Sequence, residues 1–281
     1  MKIGVSAFAW TTQVNESHLP IFASLREHGI DAFEIPMFAP GDIDVLMLRR
    51  AFEANDLECT VCAILPAGLN PISDDAAERK GAFAHIERCI DTAAELGAHS
   101  MGGPLYAPIG YLPGRRRTLD EWKRAVDCFQ SLGDSLERAD MTLSIEPVNR
   151  SESFFLNTAA EANQLCDEIG SPRIGVLIDT FHANIEEKNV AAAVRSSGSR
   201  LKHLHASEND RGLLGSGHVG FPAIVSALKA IPYDGYLMIE GFGFSPSEPK
   251  SLGALWGDPN VTPEEIAFKG ASYLQELLSQ S

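Results

Sequence analysis

Residues 174–187 read IGVLIDTFHANIEE. Ile174 to Ile178 form an apolar run too short for a helix and without a polar face, the pattern of a strand covered on both sides. The run closes on Asp179, with His182 three residues later and then Glu186 and Glu187. A buried strand that ends in an acid within reach of an imidazole raises the question of what the other strands place beside it. The same rhythm recurs along the chain, in IGVSAFAW (3–10), DAFEIPM (31–37), CTVCAIL (59–65), HSMGGPL (99–105), LSIEPV (143–148), LKHLHAS (201–207) and YLMIEGF (236–242). Between these runs lie amphipathic helical patterns, among them LPIFASLREHG (19–29), the stretches 78–98 and 118–140, TAAEANQLCDEIG (158–170) and FPAIVSALKAI (221–231). Thr158 and Glu161 have the spacing of a capping box. Strands alternating with helices imply βαβ units and a parallel sheet. Eight such units in a chain of 281 residues match a (β/α)8 TIM barrel, with an open doubly wound sheet as the structural runner-up. No linker interrupts the pattern, so one domain over 1–281 is expected. It would have a long loop at 241–260 after the eighth strand and a C-terminal helix at about 262–279.

The bulk composition narrows the partners. A net charge of −15 repels phosphate backbones, which argues against nucleic acid. No apolar stretch has the length of a membrane span. MKIGVSAFAW reads as a strand rather than a secretory leader, so a cytoplasmic protein is expected. The five cysteines are scattered and odd in number, as for reduced thiols. Cys59 and Cys62 form a C-x-x-C on a strand, where positions three apart face opposite sides, so they read as two packed thiols.

Chemistry in a (β/α)8 barrel sits at the C-terminal ends of the strands. Run five ends at Glu146, run six at Asp179, run seven at His205 and run eight at Glu240. Neighbouring strands are about 4.8 Å apart, so four consecutive ends can converge on one ion. Three carboxylates with one imidazole suit one divalent metal ion, Mn²⁺ first, with Co²⁺ or Mg²⁺ as alternatives. His182 lies too far along to share that coordination and is expected to face a bound substrate.

The motifs SIEPVNRSE (144–152), IDTFHANIEE (178–187), HLHASENDRGLLGSG (203–217) and MIEGF (238–242) resemble the ketose 3-epimerases, that is, the D-tagatose/D-allulose 3-epimerases and the L-ribulose 3-epimerase of the xylose-isomerase-like barrel superfamily. The resemblance is densest over 144–242. Earlier in the chain it rests on rhythm and on Glu34, where the family also carries a glutamate. It implies that Glu146, Asp179, His205 and Glu240 hold the metal and that Glu146 and Glu240 are also the catalytic carboxylates. It further implies that Glu152, His182 and Arg211 hold the O1–O3 end of a sugar. Pro147 and the segment SENDR (207–211) depart from the commoner family pattern.

The expected reaction is metal-dependent epimerisation of a free ketose at C3, of the D-tagatose, D-fructose, D-allulose or L-ribulose type. It would run through a cis-enediolate, with one glutamate on each face of the sugar. An aldose–ketose isomerase needs similar machinery. A sugar-phosphate epimerase would find a phosphate grip in Arg115, Arg116 and Arg117. A phosphodiester hydrolase or a non-catalytic sugar-binding barrel stands further off. Gly215 to Gly220 match G-x-G-x-x-G with Glu240 twenty residues on, but the motif does not follow its strand directly and reads as a turn-forming loop. Phe8, Trp10, Leu65, Pro66, Leu105 and Tyr106 are candidates for an apolar pocket wall. A homodimer or homotetramer is expected, with Leu255 and Trp256 as a candidate contact.

Overall fold

The computed structural model describes residues 1–243 and 260–280; the greater part of the expected loop 241–260, with Leu255 and Trp256, lies outside them. Eight parallel strands close into a barrel in sequence order. They are β1 Lys2–Ser6, β2 Ala32–Met37, β3 Glu58–Ala63, β4 Ser100–Gly103, β5 Thr142–Ile145, β6 Ile174–Asp179, β7 Leu201–Ala206 and β8 Tyr236–Ile239. β1 pairs with both β2 and β8, so no sheet edge is left open. The architecture is the TIM barrel that the strand–helix rhythm predicts, and the open sheet is excluded by the closure.

The first run is shorter than its apolar pattern suggests. Ser6 ends β1 because its hydroxyl accepts the Phe8 N–H and caps a 3₁₀ turn, Ala7–Ala9. The pattern 118–140 likewise divides into two helices, Leu119–Ser131 and Gly133–Arg138. The expected capping box is present: Thr158 accepts the Glu161 N–H and opens the helix Ala159–Ile169. A second box, Thr118 with Glu121, opens the helix Leu119–Ser131. After the undescribed stretch, a π-helical turn, Glu265–Lys269, runs into the helix Gly270–Ser279. Among the described residues, no helix is long and apolar enough to cross a membrane.

One irregularity fixes the alignment of the later strands. β6 and β7 pair Val176 with Leu201 and then Leu177 with His203, so β7 carries an extra residue, Lys202. Gly175 leaves room for this bulge, since a Cβ there would overlap the Arg200 carbonyl and the Lys202 side chain. Beyond the bulge Asp179 stands opposite His205. Cys59 packs in the main core and Cys62 in a separate small cluster with Phe8 and Phe242; both thiols are free.

Glu161 ties two helix starts together. It accepts the Asn157 N–H at 3.0 Å and the Arg117 guanidinium at 2.6 Å. Burial pushes its pKa up, but the Asn157 amide, Arg117 and the Thr158 amide outweigh this and hold it below the ordinary carboxylate range. A depressed acid contributes stability above its unfolded pKa and loses it as pH falls through the folded value. Glu161→Gln should therefore cost about 1 kcal/mol at pH 7. In urea melts the gap from wild type should shrink as pH drops below about 4.

Candidate metal and substrate site

Four consecutive strand ends supply the expected side chains. Glu146 follows β5, with its N–H on the Gly103 carbonyl at 3.2 Å. Asp179 closes β6 and also accepts the Phe181 N–H at 2.8 Å, capping the short helix Thr180–Glu186. His205 is the penultimate residue of β7, and Glu240 follows β8, anchored to the Ala206 carbonyl at 3.0 Å. One ligand atom each from Asp179, His205 and Glu240 lie within 4.8 Å of one another, and the same holds for Glu146, Asp179 and His182. Asp179 belongs to both of these groups, so the four sequence-derived ligands lie around it, and His205 belongs also to a third group, with Glu34 and His203. All four are buried.

The charges are unbalanced. Three buried carboxylates share one buried guanidinium. Arg211 Nη1 donates to Asp179 Oδ2 at 2.8 Å, to Ser207 Oγ at 2.9 Å and to Glu240 Oε2. The Arg211 guanidinium lies over Phe181 at 4.1 Å and over Phe242 at 5.0 Å, so it is desolvated on its faces. Burial pushes the Glu146 carboxyl well above the usual range, and the charges of Asp179 and Glu240 add to the push against His205 and Arg211. Burial also raises Asp179, with Arg211 opposing and Glu240 adding. Burial lowers His205, but Glu34 and Glu240 overcome it and carry the imidazole well above its ordinary value. His205 Nδ1 has no hydrogen-bond partner although it is buried, and it faces Glu240 Oε1 at 3.4 Å. An orphaned imidazole nitrogen beside crowded carboxylates is a donor set that fits a divalent cation with a taste for oxygen and nitrogen.

His182, expected to lie too far along to share the coordination, instead falls within one ligand group with Glu146 and Asp179, because the helix that Asp179 caps turns it back toward the strand ends. Its Nδ1 receives the Asn149 backbone N–H at 3.2 Å and the Asn149 amide at 2.9 Å. Nδ1 therefore meets the Asn149 donors, while Nε2 meets the Arg211 guanidinium, which can only donate. Burial holds His182 down at about 3, so the ring is neutral. Nε2 stands 3.2 Å from Arg211 Nη2, 3.8 Å from Glu146 and 3.7 Å from Asp179. Glu152 accepts from the same Asn149 amide at 2.8 Å. It thus orients His182 through Asn149, a residue the sequence motif contains but to which no role was assigned.

The loop after β7 is built around Glu208, which sequence reasoning also missed. This carboxylate is fully buried and accepts the N–H groups of Asn209 at 3.2 Å, Gly215 at 2.9 Å and Val219 at 2.9 Å. Gly217 passes so close that a Cβ would overlap Asn209 and Glu208. The G-x-G-x-x-G segment is therefore a wrapping of Glu208, as its position after SENDRGLL suggests. The wrapping holds Arg211 at φ 61°, a left-handed conformation uncommon outside glycine, and turns its side chain into the site.

Of the expected pocket wall, Phe8 stands near the mouth, against Phe242 at 5.3 Å and Phe38 at 5.9 Å. Leu65 and Leu105 are buried in the main core, and Pro66 is exposed. Tyr106 is also in that core, with its hydroxyl on the Leu156 carbonyl at 3.3 Å. Trp10 packs on Phe33 and donates to Glu264 at 2.9 Å. The arginine run is committed locally. Arg115 forms a fork with Glu121 at 2.8 and 2.9 Å, and Arg117 binds Glu161 and the Phe155 carbonyl. These pairings favour a structural role over a phosphate grip.

Against known proteins, residues 22–277 match the family model described as xylose isomerase-like TIM barrel. A probable ketose 3-epimerase of Synechocystis sp. is 31% identical over 276 residues, covering 98% of this chain and 96% of that protein. The chain belongs to the ketose 3-epimerase family. An L-ribulose 3-epimerase of Mesorhizobium japonicum is 32% identical over 86% of this chain and 81% of its own length. The crystal structure of a D-allulose 3-epimerase from Methylomonas sp., in complex with D-allulose, superposes with a TM-score of 0.92 at 26% identity, covering 98% of this chain and 96% of that one. The chain is thus a carbohydrate epimerase, an isomerase acting on small sugars.

The crowding of carboxylates has a measurable consequence. Mn²⁺ added to chelator-stripped protein at a hundredfold its Kd should stabilise the fold by about 2.7 kcal/mol, seen as a rise in melting temperature. Asp179→Asn should remove most of that rise, because Asp179 is common to the two ligand groups that span the four strand ends.

Proposed function

We propose that the chain, as one barrel domain over residues 1–281, epimerises a free ketose at C3, on a substrate of the D-tagatose, D-fructose, D-allulose or L-ribulose type. The observation that carries this reading is the pair of buried glutamates, Glu146 after β5 and Glu240 after β8, on either side of Asp179 and His205. Inverting a carbon alpha to a carbonyl requires removing a proton from one face and returning one to the other. Two carboxylates set on separate strands answer that requirement, each within reach of one face.

Glu146, Asp179, His205 and Glu240 would hold one divalent ion, Mn²⁺ by preference. When bound, the ion supplies a Lewis acid that stabilises negative charge on the sugar oxygens. One glutamate takes the C3 proton, and the other returns a proton to the opposite face of the cis-enediolate. Arg211 presents its N–H donors to the site beside His182 Nε2, and the two residues are suited to the O1–O3 end of the ketose. The Arg211 guanidinium adds positive charge where an oxyanion develops. Glu152 and Asn149 hold the His182 ring in place through Nδ1. A homodimer or homotetramer accompanies this proposal.

The test is turnover in D₂O. Stripped protein reloaded with Mn²⁺ should convert D-fructose, D-tagatose, D-allulose or L-ribulose to the C3 epimer, with deuterium at C3 by NMR. Deuterium at C1 or C2 with aldose formed would make it an aldose–ketose isomerase. Glu146→Gln and Glu240→Gln should each lower kcat by about 10²–10⁴-fold.

A further inference from the structure

We propose that Glu34 is a positioning residue for the metal centre: it fixes the ring of His205 so that Nδ1 is the nitrogen offered to the ion. The inference rests on the metal site proposed above and adds a residue from the opposite half of the barrel. Glu34 lies in β2, far in sequence from the four candidate ligands, and is completely buried. Its Oε1 is 3.1 Å from His205 Nε2. Its Oε2 accepts from Thr60 Oγ1 at 3.3 Å and pairs with His203 Nε2 at 3.1 Å. One carboxylate oxygen is therefore pinned by β3 and β7 side chains, and the other is aimed at His205.

The geometry around His205 leaves little choice. Both ring nitrogens are buried and neither has a hydrogen-bond partner, although each lies near a carboxylate. Nδ1 faces Glu240, and Nε2 faces Glu34. His203 stands edge-on to the ring at 5.1 Å, with its own Nε2 engaged by Glu34. Ion binding takes the place of one ring proton, so the ligating imidazole keeps a single proton. With a carboxylate at Nε2, that proton lies on Nε2, which leaves the Nδ1 lone pair directed toward Asp179 and Glu240. A carboxylate behind a ligating histidine fixes both tautomer and ring orientation and raises the basicity of the ligating nitrogen. Loss of such a partner typically weakens metal affinity by about 10–100-fold. Thr60 and His203 complete the arrangement, since without them the Glu34 carboxylate would be free to rotate away from His205.

The experiment measures Mn²⁺ binding and not turnover. Apo protein is titrated with Mn²⁺ alone, and the free ion is read from its electron paramagnetic resonance signal. Wild type, Glu34→Gln, Glu34→Asp and His205→Gln are compared. Circular dichroism and melting of each apo form establish that it is folded. The expected result is one ion per wild-type chain, affinity lowered about tenfold or more in Glu34→Gln, partial recovery in Glu34→Asp, and still weaker binding in His205→Gln. A Glu34→Gln variant that is folded, melts lower and binds Mn²⁺ as tightly as wild type would overturn the proposal and leave Glu34 as interior packing. Two ions per wild-type chain, with one lost in Glu34→Gln, would also overturn it, because Glu34 would then be a ligand with His203. If wild type and His205→Gln bind Mn²⁺ equally, the metal reading itself fails, an outcome distinct from failure of Glu34 alone.

Discussion

The Arg211 guanidinium stands among the carboxylates of Asp179, Glu240 and Glu146, inside a site that water barely reaches. Two like charges about 4 Å apart repel by about 4 kcal/mol at an effective dielectric of 20. A barrel mouth that gathers three acids therefore has to gather positive charge as well. Arg211 supplies part of it and His205 another part, and the crowded acids leave a place for a doubly charged ion. Much of the surrounding structure serves to hold these groups still. Glu208 gathers the loop that delivers Arg211, Ser207 accepts from the same guanidinium, and Phe181 and Phe242 close its faces.

The barrel interior answers the same charges from below. Glu34, Thr60, His203 and His205 form a polar layer under the strand ends. Burying a carboxylate and two imidazoles is costly unless each finds a partner. Glu34 is held well below the ordinary carboxylate range because the two histidines outweigh its burial. The layer couples β2 and β3 to β7, so the first half of the chain takes part in a site whose evident ligands all come from the second half. That division matches the pattern of resemblance, which is dense from 144 onward and rests on rhythm and one glutamate before it.

The two halves of the substrate machinery also differ in how they are built. The acids sit on strand ends, where the barrel's hydrogen bonds fix them, as with the Glu146 N–H on Gly103 and the Glu240 N–H on Ala206. The other side chains sit on loops and short helices and need dedicated supports, Asn149 and Glu152 for His182 and Glu208 for Arg211. The carboxylates thus sit on the rigid scaffold, and His182 and Arg211 on a supported helix and loop.

The amino-acid sequence by itself determined the barrel, because apolar runs of strand length alternating eight times with amphipathic helices leave few other ways to bury both faces of a parallel sheet. It also pointed to Glu146, Asp179, His205 and Glu240, because polar residues closing apolar runs mark the functional end of a barrel. The tertiary structure decided what no local pattern encodes. Glu34 meets His205 across the barrel, 171 positions away in the sequence, and the bulge at Lys202 sets His205 opposite Asp179. Phe8, Leu105 and Tyr106 are equally apolar in the sequence, yet Phe8 lies beside Phe242 while the other two pack into the main core. What holds the His182 ring, which acid wraps the loop after β7, and which arginines are already paired follow from contacts between distant segments. Those contacts exist only once the barrel has closed.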